Sequence, residues 1–311
     1  MLKNPPSHVW HADWGSNPKK RWVCKAVRVG QCYRAQAPTL VGDHIGFMDQ
    51  VKREIGENGT GVVGFDFPIG IPTRYASLIR VKKFRPFLRR LGKGKFSDFY
   101  RVAKTTTDIS KYRPFYPHKP GGTKHSHLLS ALGLTCINDL RRKCELGHEG
   151  RNPASPLFWT LGAKQVGKAA IIGWRDVIVP ALDGDDPAVL WPFDGSLDDL
   201  LTPGNVVIVE TYPAECYSWL VKDGINGKGR VDVRKRAGGD LLGWAAKSNV
   251  ELDAKLKADI EQGFPEGDDA FDAVVGLFGV LEVVLNRRES GEPQDKAITA
   301  LEGWILGQKA T

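Results

Sequence analysis

Three short apolar runs in this chain each close on an acidic residue, and a fourth acidic cluster opens an apolar helix. The segments are VWHADWG (9–15), VVGFDFPIG (62–70), VVIVETYPAE (206–215) and DDAFDAVVGLF (268–278). Pro68 follows Asp66 and Pro213 follows Glu210. Proline cannot donate to a β-ladder, so both runs are expected to end there as strands. In open α/β sheets, ligands bind outside the carboxyl ends of the strands. Carboxylates gathered at that edge, with no lysine in the same motifs, would repel one another unless a divalent cation lay between them. The pattern therefore predicts a Mg²⁺ or Mn²⁺ site suited to phosphoryl chemistry.

Bulk properties allow such a protein without demanding it. The 311 residues suffice for one large α/β domain or two small ones. A 41% hydrophobic and 26% charged composition excludes a disordered chain. The formal net charge of +8 inclines the protein towards polyanionic partners such as nucleic acid. Five scattered cysteines do not form a disulfide framework. No apolar segment follows the first residues, so no signal peptide is expected, and the cytoplasm is the default compartment. The apolar stretch over residues 273–285 is too short to span a bilayer and is interrupted by Glu282, so it reads as a buried helix and no membrane partner is expected.

The order of elements points to a mixed sheet. Strands are expected at residues 7–13 and 21–29, with a third near 31–36. Ile45, Met48, Val51 and Ile55 recur at helical spacing within 43–57, and the strand around 62–66 follows. Antiparallel strands and then a parallel return through a helix make a mixed sheet. The next clear strand is 205–210, so the segment between is far longer than one crossover needs. Residues 72–200 are therefore expected to be an insertion within a single domain spanning 1–311. Inside it a helix is expected over 127–146 and a strand pair around 168–179. Beyond Glu210 come a helix near 214–222, a Gly- and Arg-rich loop at 226–239, and helices over 240–263 and 268–288.

Each candidate has a plain structural account beside the functional one. Asp13 would serve as a turn residue, and Asp66 and Glu210 as capped carboxylates at strand ends. Asp268 and Asp269 suit the N-terminus of any helix. Asp272 is poorly explained in that way, because it lies a turn further on, on the same side as Asp269 and against an apolar face. Lys82, Lys83, Arg85, Arg89 and Arg90, with Lys93 and Lys95, form a basic run interleaved with Phe84 and Phe87. The run is either a solvated helix face or a phosphate-binding strip, with the phenylalanines free for packing or base stacking. If it is a strip, it and the loop at 112–127 should border the acidic site. Cys136, Cys144 and His148 match no zinc knuckle, Cys216 has no local His partner, and GKGK (92–95) lacks the spacing of a P-loop.

Taken in order, Asp13 with its following hairpin, G-F-D-F-P-I-G, E-T-Y-P-A-E and D-D-A-F-D-A resemble the uncharacterised domain family numbered 429 (DUF 429). Its members are predicted nucleases of the RNase H-like fold. The last motif also resembles the closing helix of Holliday-junction resolvases. The resemblance implies an α/β fold with a five-stranded mixed sheet flanked by helices. It implies Mg²⁺ or Mn²⁺ between Asp13 and Asp66, completed by Asp272 with Asp269, and a second ion near Glu210. The implied activity is hydrolysis of nucleic-acid phosphodiesters. Two alternatives share the core: an actin-like or sugar-kinase-like ATP phosphotransferase, whose phosphate loop Asp13-Trp14-Gly15-Ser16 resembles, and a non-catalytic nucleic-acid-binding module.

Overall fold

The structure is a computed structural model that describes residues 2–148, 151–162, 166–184 and 186–310. The chain divides into two compact units. Unit 1 contains residues 1–66, 186–291 and 305–309, and unit 2 contains 67–185, 292–304 and 310–311. The inserted segment is thus compact in its own right, and 186–200 belongs with the first unit rather than with the insertion.

Unit 1 is built on one sheet of eight strands, three more than expected. They are β1 (His8–Asp13), β2 (Trp22–Val29), β3 (Cys32–Ala35), β4 (Thr39–Leu40), β5 (Gly61–Phe65), β6 (Val189–Leu190), β7 (Val206–Glu210) and β8 (Val250–Leu252). The order is β6-β7-β5-β1-β2-β3-β8, with β4 also on β2. Strand β2 runs antiparallel to both β1 and β3, whereas β5 and β7 return parallel to β1. The five longer strands are those anticipated; the extra three have only two or three residues, too few to show a period. Gly30, at φ 63°, opens the two-residue turn between Val29 and Cys32, where the primed hairpin turns need a left-handed residue.

Helix α1 (Phe47–Ile55) buries Phe47, Met48, Val51 and Ile55, whereas Ile45 lies before it and is exposed. Helix α2 (Pro213–Leu220) starts on Pro213, whose missing N–H costs nothing in a first turn. The expected loop at 226–239 is cut short by α3 (Val231–Lys247), and the single helix expected over 240–263 is broken by β8. Helix α4 (Ala254–Gln262) then begins where the Asp253 carboxylate accepts from the Leu256 amide at 2.7 Å.

Helix α5 (Asp268–Val284) is buried continuously from Ala270 to Val284 and packs on β1, β2, β5 and α2. Two glycines set this packing. A Cβ on Gly276 would lie 2.1 Å from the His11 ring, and one on Gly279 would lie 2.3 Å from Cys216 Sγ. Ala273, also fully buried on this face, offers its carbonyl to His11 Nδ1 at 3.1 Å.

Unit 2 is held by aromatic packing. Phe84, Phe87, Phe96, Phe99, Phe115, Phe158 and Trp174 are all fully buried in edge-to-face and stacked pairs. The strand pair expected around 168–179 is helical: Val166–Ile172 continues through a π-helical stretch, Gly173–Ile178, into Val179–Asp183. A short apolar run does not by itself separate a buried strand from a buried helix. Within it the missing Cβ of Gly173 leaves room for the Phe67 ring. The helix expected over 127–146 covers only His125–Leu132 and ends at Gly133, which has a left-handed backbone. A buried polar set ties 292–304 into this unit. Arg142 bonds Glu145 at 2.9 Å and the carbonyl of Glu302 at 3.0 Å, while the Glu302 carboxylate accepts from the amides of Thr73 and Lys143. Among the described residues no helix is long and apolar enough to cross a membrane.

Candidate metal centre

The parallel pairing of β1 with β5 matches Ala12 to Phe65. One step further, Asp13 and Asp66 stand side by side beyond the ends of their strands. Alternation turns both towards the face covered by α5, the face that also carries His11 and Gly64. The chain then bends at Trp14, whose amide donates to Asp66 Oδ1 at 2.6 Å. The Asp13 and Asp66 carboxyls are near enough for each to alter the other's protonation. Asp272 approaches from α5, and Asp268 and Asp269 occupy the first turn of the same helix.

Electrostatics show that these groups meet. Burial and then the charges of Asp66 and Asp272 raise the Asp13 carboxyl well above its usual range. Asp66 is pushed up to about 7, chiefly by burial, with Asp272 adding to the rise and the Trp14 amide opposing it. Burial also raises Asp272 and Asp269. Like charges confined in a poorly solvated place behave in this way unless nearby cations cancel them fully.

Part of the cancellation comes from a side chain that local sequence gave no reason to place there. Lys228 Nζ forms an ion pair with Asp272 Oδ2, and Tyr217 of α2 donates its hydroxyl to Asp272 Oδ1. The ammonium is held charged against burial by Asp272 and Asp13. Lys20 stands 3.7 Å from Asp269. The expectation of carboxylates without lysines is thus corrected. Lys228 sits on a Gly-flanked turn far from each acidic motif, and its only sequence signal was the motif N-G-K-G-R. Asp272 is turned onto Lys228 and Tyr217, and among the described residues no three Asp, Glu, His or Cys side chains surround one point closely enough to hold an ion as they stand. The oxygen-only donor set of Asp13, Asp66 and Asp272 nevertheless suits a hard divalent cation.

Glu210 is not part of this group. Register pairs it with Phe65, so its side chain lies on the opposite face of the sheet from Asp66. Thr211 stands level with Asp66 instead, its amide bonded to Phe65 O at 2.8 Å and its side chain beside Gly64. Thr211 Oγ1 is buried and has no hydrogen-bond partner among the described residues. The sequence motif E-T-Y-P-A-E drew attention to the acid, but the period of two selects its neighbour.

The basic run lies in unit 2, around the helix Phe84–Leu88. Lys82 and Lys83 are exposed and Arg85 is half-buried. Arg89 bonds Asp183 at 2.7 Å, and the Arg90 guanidinium lies over Phe96 at 5.2 Å. Phe84 and Phe87 are buried against Trp174 and Phe96, so they pack the core and are closed to base stacking. All five cysteines are free thiols, with Cys216 buried against Gly279 and Cys136 exposed.

Comparison with known proteins adds no relative: no protein-family model, curated protein or solved structure matches the chain.

Proposed function

We propose that unit 1 is a divalent-metal-dependent phosphodiesterase of the RNase H-like kind, akin to the DUF 429 proteins its motifs resemble, and that nucleic acid is its substrate. The observation that carries this reading is the meeting of Asp13, Asp66 and Asp272 on one face of a mixed sheet, with all three carboxyls raised by burial and those of Asp13 and Asp66 raised further by the Asp272 charge. Asp13 and Asp66 would hold Mg²⁺ or Mn²⁺, with Asp272 and then Asp269 completing the set. Glu210, on the other face, is left out of it. The chemistry a bound ion supplies is an acidified water able to attack phosphorus and relief of charge on the leaving oxygen. The residues' own tasks are distinct. The Trp14 amide fixes the Asp66 carboxylate, the raised Asp13 and Asp66 carboxyls must be ionised before both can bind a cation, and Tyr217 orients Asp272.

Basic residues of unit 2, foremost the exposed Lys82 and Lys83 and then Arg85, Arg89 and Arg90, would bind the phosphate backbone. One observation favours the non-catalytic alternative: Lys228 already neutralises Asp272. A single experiment separates the two. Single- and double-stranded DNA and RNA are incubated with the protein and with Asp66→Asn, with Mg²⁺ or Mn²⁺ and with a chelator. Metal-dependent cleavage by the parent and a loss greater than about 100-fold in the variant are expected, beyond the range for residues that merely support ligands. Retention of nucleic acid without cleavage would instead favour the binding module, and equal cleavage by the variant would exclude this mechanism.

A further inference from the structure

We propose that Lys228 is a tethered counter-ion of the carboxylate cluster, and that its ammonium and a divalent cation compete for one place, the side chain withdrawing to solvent when the ion binds. The inference rests on the metal reading above and adds a residue that governs how tightly the metal is held.

Three features of the structure lead to it. First, Asp272 is buried, and its two oxygens are taken up by Lys228 and by the Tyr217 hydroxyl. Tyr217 is a neutral donor able to stay beside a metal ligand. Lys228 is a full positive charge and lies within electrostatic reach of Asp13, Asp66 and Asp269 as well. A second, doubly charged cation at the same carboxylates would meet strong repulsion from it.

Second, only the side chain of Lys228 enters the site. Its backbone belongs to the turn Gly227-Lys228-Gly229, in which both glycines are exposed. The Lys228 carbonyl is pinned by Arg234 Nη1 at 2.6 Å, and the buried Arg234 is itself fixed by the carbonyls of Gly263 and Phe264. The root is rigid and close to solvent, and the four-carbon stem is flexible. Rotation of that stem exchanges the Asp272 contact for water without moving the backbone.

Third, the site keeps a polar group that the ammonium does not satisfy. Thr211 is 3% exposed, and its Oγ1 has no partner among the described residues, although it stands level with Asp66. A buried hydroxyl without a partner is costly. A hydrated cation between the carboxylates would bring water within its reach, which Lys228 does not.

The test uses the full chain stripped of metal by a chelator. Mn²⁺ affinity is measured by calorimetry for the parent, Lys228→Gln and Lys228→Arg, with folding checked by circular dichroism. The Gln variant should bind Mn²⁺ at least about tenfold more tightly, and the Arg variant no more tightly than the parent. Amine labelling of the unmutated protein, read by mass spectrometry, tests the same idea without a substitution. Saturating Mn²⁺ should speed labelling of Lys228 at least about fivefold while leaving the exposed Lys222 unchanged. Affinity that falls in Asp66→Asn but is unaltered in Lys228→Gln would overturn the competition alone. So would a Lys228 that stays unreactive with Mn²⁺ bound. Mn²⁺ binding by none of the proteins would overturn both the competition and the metal reading.

Discussion

Unit 1 carries 21 Lys and Arg against 25 Asp and Glu, a formal −4, whereas unit 2 carries 23 against 11, a formal +12. The whole-chain charge of +8 conceals this division. Unit 1 places carboxylates beyond strand ends, where the sheet register forces them together. Unit 2 buries aromatic rings and leaves most of its cations in water; where it buries one, as at Arg142, it supplies Glu145 and several carbonyls to match. Concentrating like charge in a dry place destabilises a fold, and a protein tolerates that most readily where the charge has work to do. Dispersed, solvated cations cost little and act at longer range.

The largest effect expected of this difference is the loss of cleavage in Asp66→Asn described above. Next comes the seat of α5 on the sheet. Gly276→Ala would drive a methyl into the His11 ring, which is closed in on all sides, and should destabilise unit 1 by about 3 kcal/mol, the upper end for overpacking. Urea unfolding should show the loss, with hydrogen exchange locating it in β1 and α5. A change below about 0.5 kcal/mol would mean that the helix shifts freely and that the site geometry is not fixed by this contact.

Two buried groups of unit 1 should pull stability in opposite directions with pH. His11 is held down to about 3 by burial, against an ordinary value near 6.5. Its folded-state pKa is depressed, so the unfolded chain takes up the proton first. Its contribution is complete above about pH 6.5 and is lost as pH falls towards 3, at roughly 2 kcal/mol between pH 6.5 and 5. His11→Gln should flatten that acid limb in urea denaturation of the metal-free protein. Asp66, raised to about 7, behaves in the opposite sense. The folded state holds its proton more tightly than the unfolded state, so stability is lost as pH rises from about 4 to 7. Asp66→Asn should therefore stabilise the metal-free protein at pH 8, by an amount of the order of 2 kcal/mol because Asp13 and Asp66 titrate as an interacting pair. Mn²⁺ should stabilise the parent and not the variant. A variant no more stable than the parent would show that Asp66 is not under the strain assigned to it.

The smallest effects belong to unit 2. Lys82→Ala with Lys83→Ala should reduce the log–log salt slope of nucleic-acid binding by about two, close to one per lost contact. Arg89→Ala with Arg90→Ala should reduce it less, because Arg89 is engaged with Asp183 and Arg90 lies on Phe96. Equal slopes in all three proteins would make the run a solvated face only.

Much of unit 1 was legible because its signals are local. Prolines and β-branched runs marked β5 and β7, helical spacing marked α1, and Asp272 stood out as an acid on an apolar helix. What was not legible depends on contacts between distant residues. Lys228 comes to Asp272 from 44 residues away, and no spacing rule links them. Thr211 displaces Glu210 only once the register of β7 against β5 is known. In unit 2, the apolar run over 168–179 was ambiguous by period, and the approach of Phe67 to Gly173 is a contact between residues far apart in sequence. Phe84 and Phe87 looked available beside so many cations because sequence does not tell which ring faces inward.

The order of synthesis gives the interrupted layout of unit 1 a further meaning. β5 emerges early, but its parallel neighbour β7 lies beyond the whole inserted segment, and Asp272 lies later still. Asp13 and Asp66 therefore leave the ribosome long before the helix that completes their site. The carboxylate cluster of Asp13, Asp66 and Asp272 is therefore complete only after the whole inserted segment and the Asp272 helix have emerged. The same division leaves one flank of β5 without its parallel neighbour throughout that interval, so an unpaired strand edge is open to mispairing until β7 arrives.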